Sequence, residues 1–231
     1  MGRHTTLTAA DGFELGAWRA EPAGAPRGGI VVIQEIFGVN AHIREVCDGF
    51  AEDGYLAIAP ALFDRVEGGI ELAYDEDGIA RGADLARNRL DRERALQDLQ
   101  AAVDEAATAG AVGVVGYCFG GLLAWLAACR LEGVAAAASY YGGGVSQFAE
   151  LAPKCPVIFH FGARDAHIPM EQVEDIRTRH PELPVHVYDA DHGFNCDHRA
   201  SFDGAAAALA RERTLAFFAT HLVGRRLGGG P

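Results

Sequence analysis

The 231-residue chain is predicted to belong to the α/β class, as a doubly wound, mostly parallel sheet with helices on both faces. Three observations carry this. Six short apolar runs are continuous rather than alternating, which suits parallel strands covered on both sides. Helical stretches separate those runs, giving βαβ units. The chain opens on a hairpin pattern centred on Asp11-Gly12.

Taken in order, the hairpin strands are Thr5–Thr8 and Phe13–Trp18. The first buried strand is Gly29–Ile33, followed by a helix over roughly His42–Glu52 and a strand at Tyr55–Ala59. Leu96, Leu99 and Val103 fall at i, i+3 and i+7 and mark a helix before the strand Val112–Val115. A helix at Phe119–Cys129, a strand at Val134–Tyr140 and a strand at Val157–Phe161 follow. Glu171–Arg179 reads as a helix and Val185–Tyr188 as the last strand. Leu215, Phe218 and Leu222 repeat the helical spacing near the end. Phe63–Asp84, rich in glycine and acids, is expected to form a mobile flap near the site. One domain over residues 1–223 is expected, with residues 224–231 as a solvated tail.

Composition excludes several classes. With 49% hydrophobic and 23% charged residues, the chain can fill a core and is not globally disordered. A net charge of −12 argues against nucleic-acid binding and against a basic membrane-facing patch. There is no run of about 18 apolar residues, so no membrane-spanning helix is expected. Met1–Thr6 lacks an apolar signal core, which makes the cytoplasm the expected location. Five cysteines, with no C-x-x-C pair, do not suggest a disulfide framework or a four-cysteine zinc site.

The most informative segment is Val112-Gly113-Val114-Val115-Gly116-Tyr117-Cys118-Phe119-Gly120-Gly121. It reads strand, then Gly-x-Cys-x-Gly, then helix: a nucleophile elbow with cysteine in place of the usual serine. Gly116 and Gly120 let neighbouring backbone close in on a tight turn. The helix starting near Phe119 aims its free N–H groups and positive dipole end at the Cys118 sulfur, which favours thiolate.

Such a nucleophile needs a base and an orienting acid, in the chain order nucleophile, acid, histidine. Asp165 follows the strand Val157–Phe161, and His192 follows the strand Val185–Tyr188. Asp165 alone would pass for a turn-capping residue. Its occurrence with His192, each after its own strand and in this order, makes Cys118–His192–Asp165 the expected triad. His160 reads as core, and His167, close to Asp165, is the rival base. A further segment, Gln34-Glu35-Ile36-Phe37-Gly38-Val39-Asn40, follows the first buried strand. There the backbone N–H of Ile36 is placed to converge with that of Phe119 on a substrate carbonyl oxygen. Each such donor is typically worth about 3–4 kcal/mol in the transition state. Glu35, a carboxylate just after a buried strand, needs a partner or carries a large burial cost.

Together these segments resemble the dienelactone hydrolase family of α/β-hydrolases. The resemblance runs from Gln34–Asn40, through Gly116–Gly121 and Gly162–Asp165, to His192-Gly193-Phe194 and the last helix, Ala206–Leu215. It implies an α/β-hydrolase fold and hydrolysis of a lactone or small carboxylic ester through an acyl-thioester on Cys118. No metal or organic cofactor is implied, and the partner is a small-molecule substrate. It also implies that Glu35 contacts the nucleophile and sets its protonation.

Family members acting on dienelactone hold its carboxylate with arginines. One lies four residues after the catalytic histidine, where this chain has Cys196; Arg199 stands three residues further on. Arg81 and Arg87 are the candidates for a second arginine, before the elbow, and the family's aromatic residues are absent from that stretch. Phe37 and Tyr117, each within one of the two motifs, complete the expected substrate-contacting set.

Other readings fit parts of the pattern. A broad-specificity carboxylesterase or thioesterase would use the same triad. A non-catalytic thiol sensor would use Cys118 oxidation, but needs no ordered base. A metal-binding protein would use His192, Cys196, Asp197 and His198. A monomer or small homo-oligomer is expected.

Overall fold

The computed structural model describes residues 2–222, so the expected tail lies outside the described residues. Eight strands form one sheet: β1 (Arg3–Thr8), β2 (Glu14–Ala20), β3 (Gly29–Ile33), β4 (Leu56–Pro60), β5 (Val112–Tyr117), β6 (Val134–Tyr140), β7 (Val157–Gly162) and β8 (Val185–Tyr188). Their spatial order is β1-β2-β4-β3-β5-β6-β7-β8. The β1–β2 and β2–β4 pairings are antiparallel and the rest are parallel. Every residue of β3 and β5 is buried, as their unbroken apolar sequences require.

Six α-helices are found among the described residues, α1 (Ala41–Glu52), α2 (Glu76–Asp84), α3 (Arg92–Ala106), α4 (Phe119–Arg130), α5 (Met170–Arg179) and α6 (Gly204–Leu222), of which α1, α3, α4 and α6 pack on the sheet. Alternation along β5 sorts two of them. A Cβ on Gly113 would meet Phe218 and Leu222 of α6, whereas one on Gly116 would run into Gly120 of α4. Phe50 of α1 packs near Phe218 of α6, with ring centres 6.3 Å apart, so α1 shares the α6 face. Helix α4 is apolar almost all round because β5 and β6 cover one side while α3 and the turn at Val145–Phe148 cover others. No helix among the described residues is long and apolar enough to cross a membrane.

The segment expected as a flap lies as a cover on the loop at residues 36–38. It begins with a 3₁₀ turn at Leu62–Arg65, buries Phe63 and Ile70, and bridges Glu71 to Gly38. The Leu72 N–H donates to the Phe37 carbonyl at 2.9 Å. Asp75 then caps α2 by accepting from the Gly78 N–H at 2.8 Å. Gly82 brings α2 directly onto the Ile36 carbonyl, where a Cβ would collide. This helix was not expected, because Gly78 and Gly82 depress helix propensity within nine residues.

Candidate active site

Cys118 stands between the last residue of β5 and the first of α4, with φ 54° and ψ −116°. This left-handed backbone is costly for a non-glycine residue and persists only where the surroundings enforce it. Two hydrogen bonds do so: Cys118 N–H to the Tyr140 carbonyl (3.0 Å) and Gly121 N–H to the Cys118 carbonyl (2.9 Å). Gly120 presses against the Ile33 and Gln34 carbonyls, which seats the start of α4 on the end of β3. The turn therefore brings the half-buried sulfur and the Phe119 N–H beside the loop holding Glu35 and Ile36.

His192 Nε2 lies 3.1 Å from Cys118 Sγ. Its Nδ1 lies 2.7 Å from Asp165 Oδ2. Asp165 divides its oxygens: Oδ1 accepts from the backbone N–H groups of His167 (2.8 Å) and Ile168 (3.2 Å). The turn-capping and orienting readings of Asp165 thus both hold, one per oxygen. Burial alone would lower the His192 pKa, but the Cys118 sulfur and the Asp165 carboxylate outweigh it and raise it to about 10. The rival base His167 is exposed, and its ring sits edge-on to His192 at 5.1 Å, away from the sulfur's hydrogen bond.

Glu35 is fully buried, and its Oε1 accepts from Arg199 Nη1 at 3.3 Å. Its Oε2 has no hydrogen-bond partner among the described residues. No hydrogen bond joins Glu35 to the nucleophile: the Cys118 sulfur bonds to His192, and Glu35 bonds to Arg199. Burial works to lower the Arg199 pKa, but Glu35 and Cys118 together raise it, so the guanidinium stays charged beside the sulfur. It lies over the rings of Phe37 (5.6 Å) and Tyr74 (5.9 Å). The Tyr74 hydroxyl accepts from Asn40 Nδ2 at 2.9 Å, while Asn40 Oδ1 caps α1. Cys196, where the resemblance calls for arginine, is fully buried, and burial pushes its thiol up to about 11.

The other expected substrate contacts fall elsewhere. Arg81 pairs on the surface with Glu67 at 2.5 Å, and Arg87 is exposed. Polar contacts among the described residues tie neither to Cys118, Glu35 or His192. Tyr117 shares the face of Gly113, so strand alternation turns it towards α1 and α6. It is buried against Tyr140 and lines a cavity of about 370 Å³ there, which is not the contact expected of it. The metal set read from His192, Cys196, Asp197 and His198 also comes apart. His192 serves Cys118, Cys196 is enclosed, and Asp197 and His198 join His42 and Glu45 instead.

Two site residues escaped the sequence reading. Tyr141, at φ 36°, holds its ring 5.1 Å from His192. Its signal was an aromatic pair at the carboxyl end of β6, just before Gly142-Gly143-Gly144. Tyr74 had no local signal, since it reaches the site only through the fold of the cover.

The strand order, the strained Cys118 turn after β5 and the histidine after β8 define an α/β-hydrolase. Within that class the chain belongs to the dienelactone hydrolase family, whose model matches residues 15–222. The carboxymethylenebutenolidases of Pseudomonas putida and Pseudomonas knackmussii are each 37% identical over 219 residues, covering 90% of this chain and 92% of each relative. A crystal structure from Klebsiella pneumoniae, provisionally named a dienelactone hydrolase, superposes with a TM-score of 0.81 at 30% identity. That match covers 95% of this chain and 99% of the other. The chain is accordingly a hydrolase of ester or lactone bonds.

Proposed function

We propose that this enzyme opens a small carboxylate-bearing lactone of the dienelactone type through an acyl-thioester on Cys118. The observation that supports this most is the relay from Cys118 Sγ to His192 Nε2 at 3.1 Å and from His192 Nδ1 to Asp165 Oδ2 at 2.7 Å. His192, raised to about 10 by Cys118 and Asp165 against the effect of burial, carries a proton at neutral pH that it can pass to the leaving group.

The thiolate attacks the lactone carbonyl carbon and a C–S bond forms. The developing oxyanion rests on the N–H groups of Ile36 and Phe119, for which no backbone partner is found among the described residues. Collapse breaks the ring C–O bond, and the enolate leaving group takes the His192 proton. Neutral His192, held by Asp165, then takes a proton from water. Hydroxide attacks the thioester, the C–S bond breaks, and the acid leaves with thiolate and imidazolium restored. Arg199 is the carboxylate anchor, and its pairing with Glu35 makes the slot responsive to a second anion. Five free cysteines favour a reducing compartment such as the cytoplasm.

The test is rapid-quench mass spectrometry with dienelactone and with a p-nitrophenyl ester. The expected result is an acyl mass on the peptide carrying Cys118 and loss of both activities in Cys118→Ala. Turnover surviving in Cys118→Ala would overturn the nucleophile. Turnover of the ester without dienelactone would move the enzyme to the broad carboxylesterases.

A further inference from the structure

We infer that the chain carries a site for a divalent transition-metal ion of the zinc class, formed by His42, Glu45, Asp197 and His198 between α1 and the loop after His192. Each side chain offers one donor atom, and the four atoms lie within 4.8 Å of one another. His42 Nδ1 is 3.1 Å from Asp197 Oδ1. His198 Nε2 is 2.7 Å from Glu45 Oε2 and 3.8 Å from Asp197 Oδ1. Donors about 2.0–2.1 Å from a tetrahedral zinc stand roughly 3.3 Å apart, so the cluster needs only small side-chain adjustments.

The parts come from two separate elements. His42 and Glu45 share a face of α1 at i, i+3. Asp197 and His198 are consecutive in a loop turned by the hydrogen bonds from Cys196 N–H to the Gly193 carbonyl (2.9 Å) and from Arg199 N–H to the Cys196 carbonyl (3.1 Å). Two imidazoles with two carboxylates are a nitrogen–oxygen set that zinc accepts, and the carboxylates neutralise its charge. The His42 side chain is 3% exposed and fixes one donor, while Glu45 and Asp197 are 59% and 58% exposed and leave an entry path. None of the four belongs to the triad. An ion here would tie α1 to the loop whose next residue is Arg199, the group paired with Glu35.

The experiment uses the full chain as Cys118→Ser, so that the catalytic thiolate does not compete for metal. Cobalt(II) is titrated in and then displaced with zinc. One equivalent is expected to bind, with the visible bands of a nitrogen–oxygen site and no sulfur-to-cobalt charge transfer. Zinc is expected to raise the thermal midpoint by several degrees. His198→Gln and Glu45→Gln, both on exposed side chains, are each expected to lower affinity at least about tenfold while keeping the metal-free midpoint. No saturable binding would overturn the site. So would a sulfur charge-transfer band, or an affinity untouched by both substitutions, leaving an ion-pair cluster only.

Discussion

Arg199 donates from Nη1 to Glu35 Oε1 across 3.3 Å, joining positions 164 residues apart in the chain. A buried carboxylate is stable only with such a partner. The guanidinium lies over the Phe37 and Tyr74 rings, and its further donors are proposed to receive a substrate carboxylate. A charged hydrogen bond is worth about 1.5–3 kcal/mol. Arg199→Ala is therefore expected to lower kcat/KM for dienelactone by roughly 10–100-fold. Turnover of a neutral p-nitrophenyl ester should fall far less. Equal losses on both substrates would assign Arg199 to holding Glu35 alone.

Glu35, paired with Arg199, is proposed to act on the nucleophile through its charge. A buried anion near a thiol opposes thiolate formation. Glu35→Gln keeps the shape and removes the charge. Cys118 alkylation by iodoacetamide at neutral pH is expected to run roughly two- to tenfold faster in this variant. An unchanged rate would show that the carboxylate does not act on the sulfur.

His192 links catalysis to stability. Its folded-state pKa is raised, from 6.5 to about 10. A raised value means that the folded state holds the proton more tightly. The stabilisation is complete below about pH 6.5 and disappears as pH climbs through about 10. Wild-type protein should lose thermal stability between pH 7 and 10 more steeply than Cys118→Ala, which lacks the largest charge raising His192. Parallel melting curves for the two proteins would rule out the coupling.

The fold was legible wherever burial dictates sequence. β3 and β5 are apolar along their whole length because helices cover both faces, and that pattern survives in a single sequence. That Cys118, Asp165 and His192 come together was legible because each follows a strand and the elbow carries its own glycines. Arg199 could be named but not placed: its position depends on how the loop after His192 turns around the buried Cys196. Tyr117 was assigned to substrate by proximity to Cys118, whereas strand alternation sends neighbouring side chains to opposite faces. Helix α2 and Tyr74 were hidden because their place is set by backbone contacts with Phe37 and Ile36 rather than by a periodic pattern of their own.

Gly82 tests whether α2 fixes the oxyanion loop. In an open helix, glycine to alanine would stabilise by about 1 kcal/mol. Here the new methyl would meet the carbonyl oxygen of Ile36, a backbone atom that cannot swing aside. Overpacking of this kind costs about 1–3 kcal/mol, so the collision outweighs the propensity gain. The cheapest relief is a shift of residues 35–37 away from α2, which moves the Ile36 N–H off the oxyanion position. Losing one such donor costs about 3 kcal/mol of transition-state stabilisation, or roughly 100-fold in kcat. Gly82→Ala is therefore expected to lose kcat on charged and neutral substrates alike, with little change in KM. Its melting temperature should fall by only a few degrees, since α2 lies outside the main sheet. Full activity in a folded Gly82→Ala protein would mean that α2, not the Ile36 loop, absorbs the methyl.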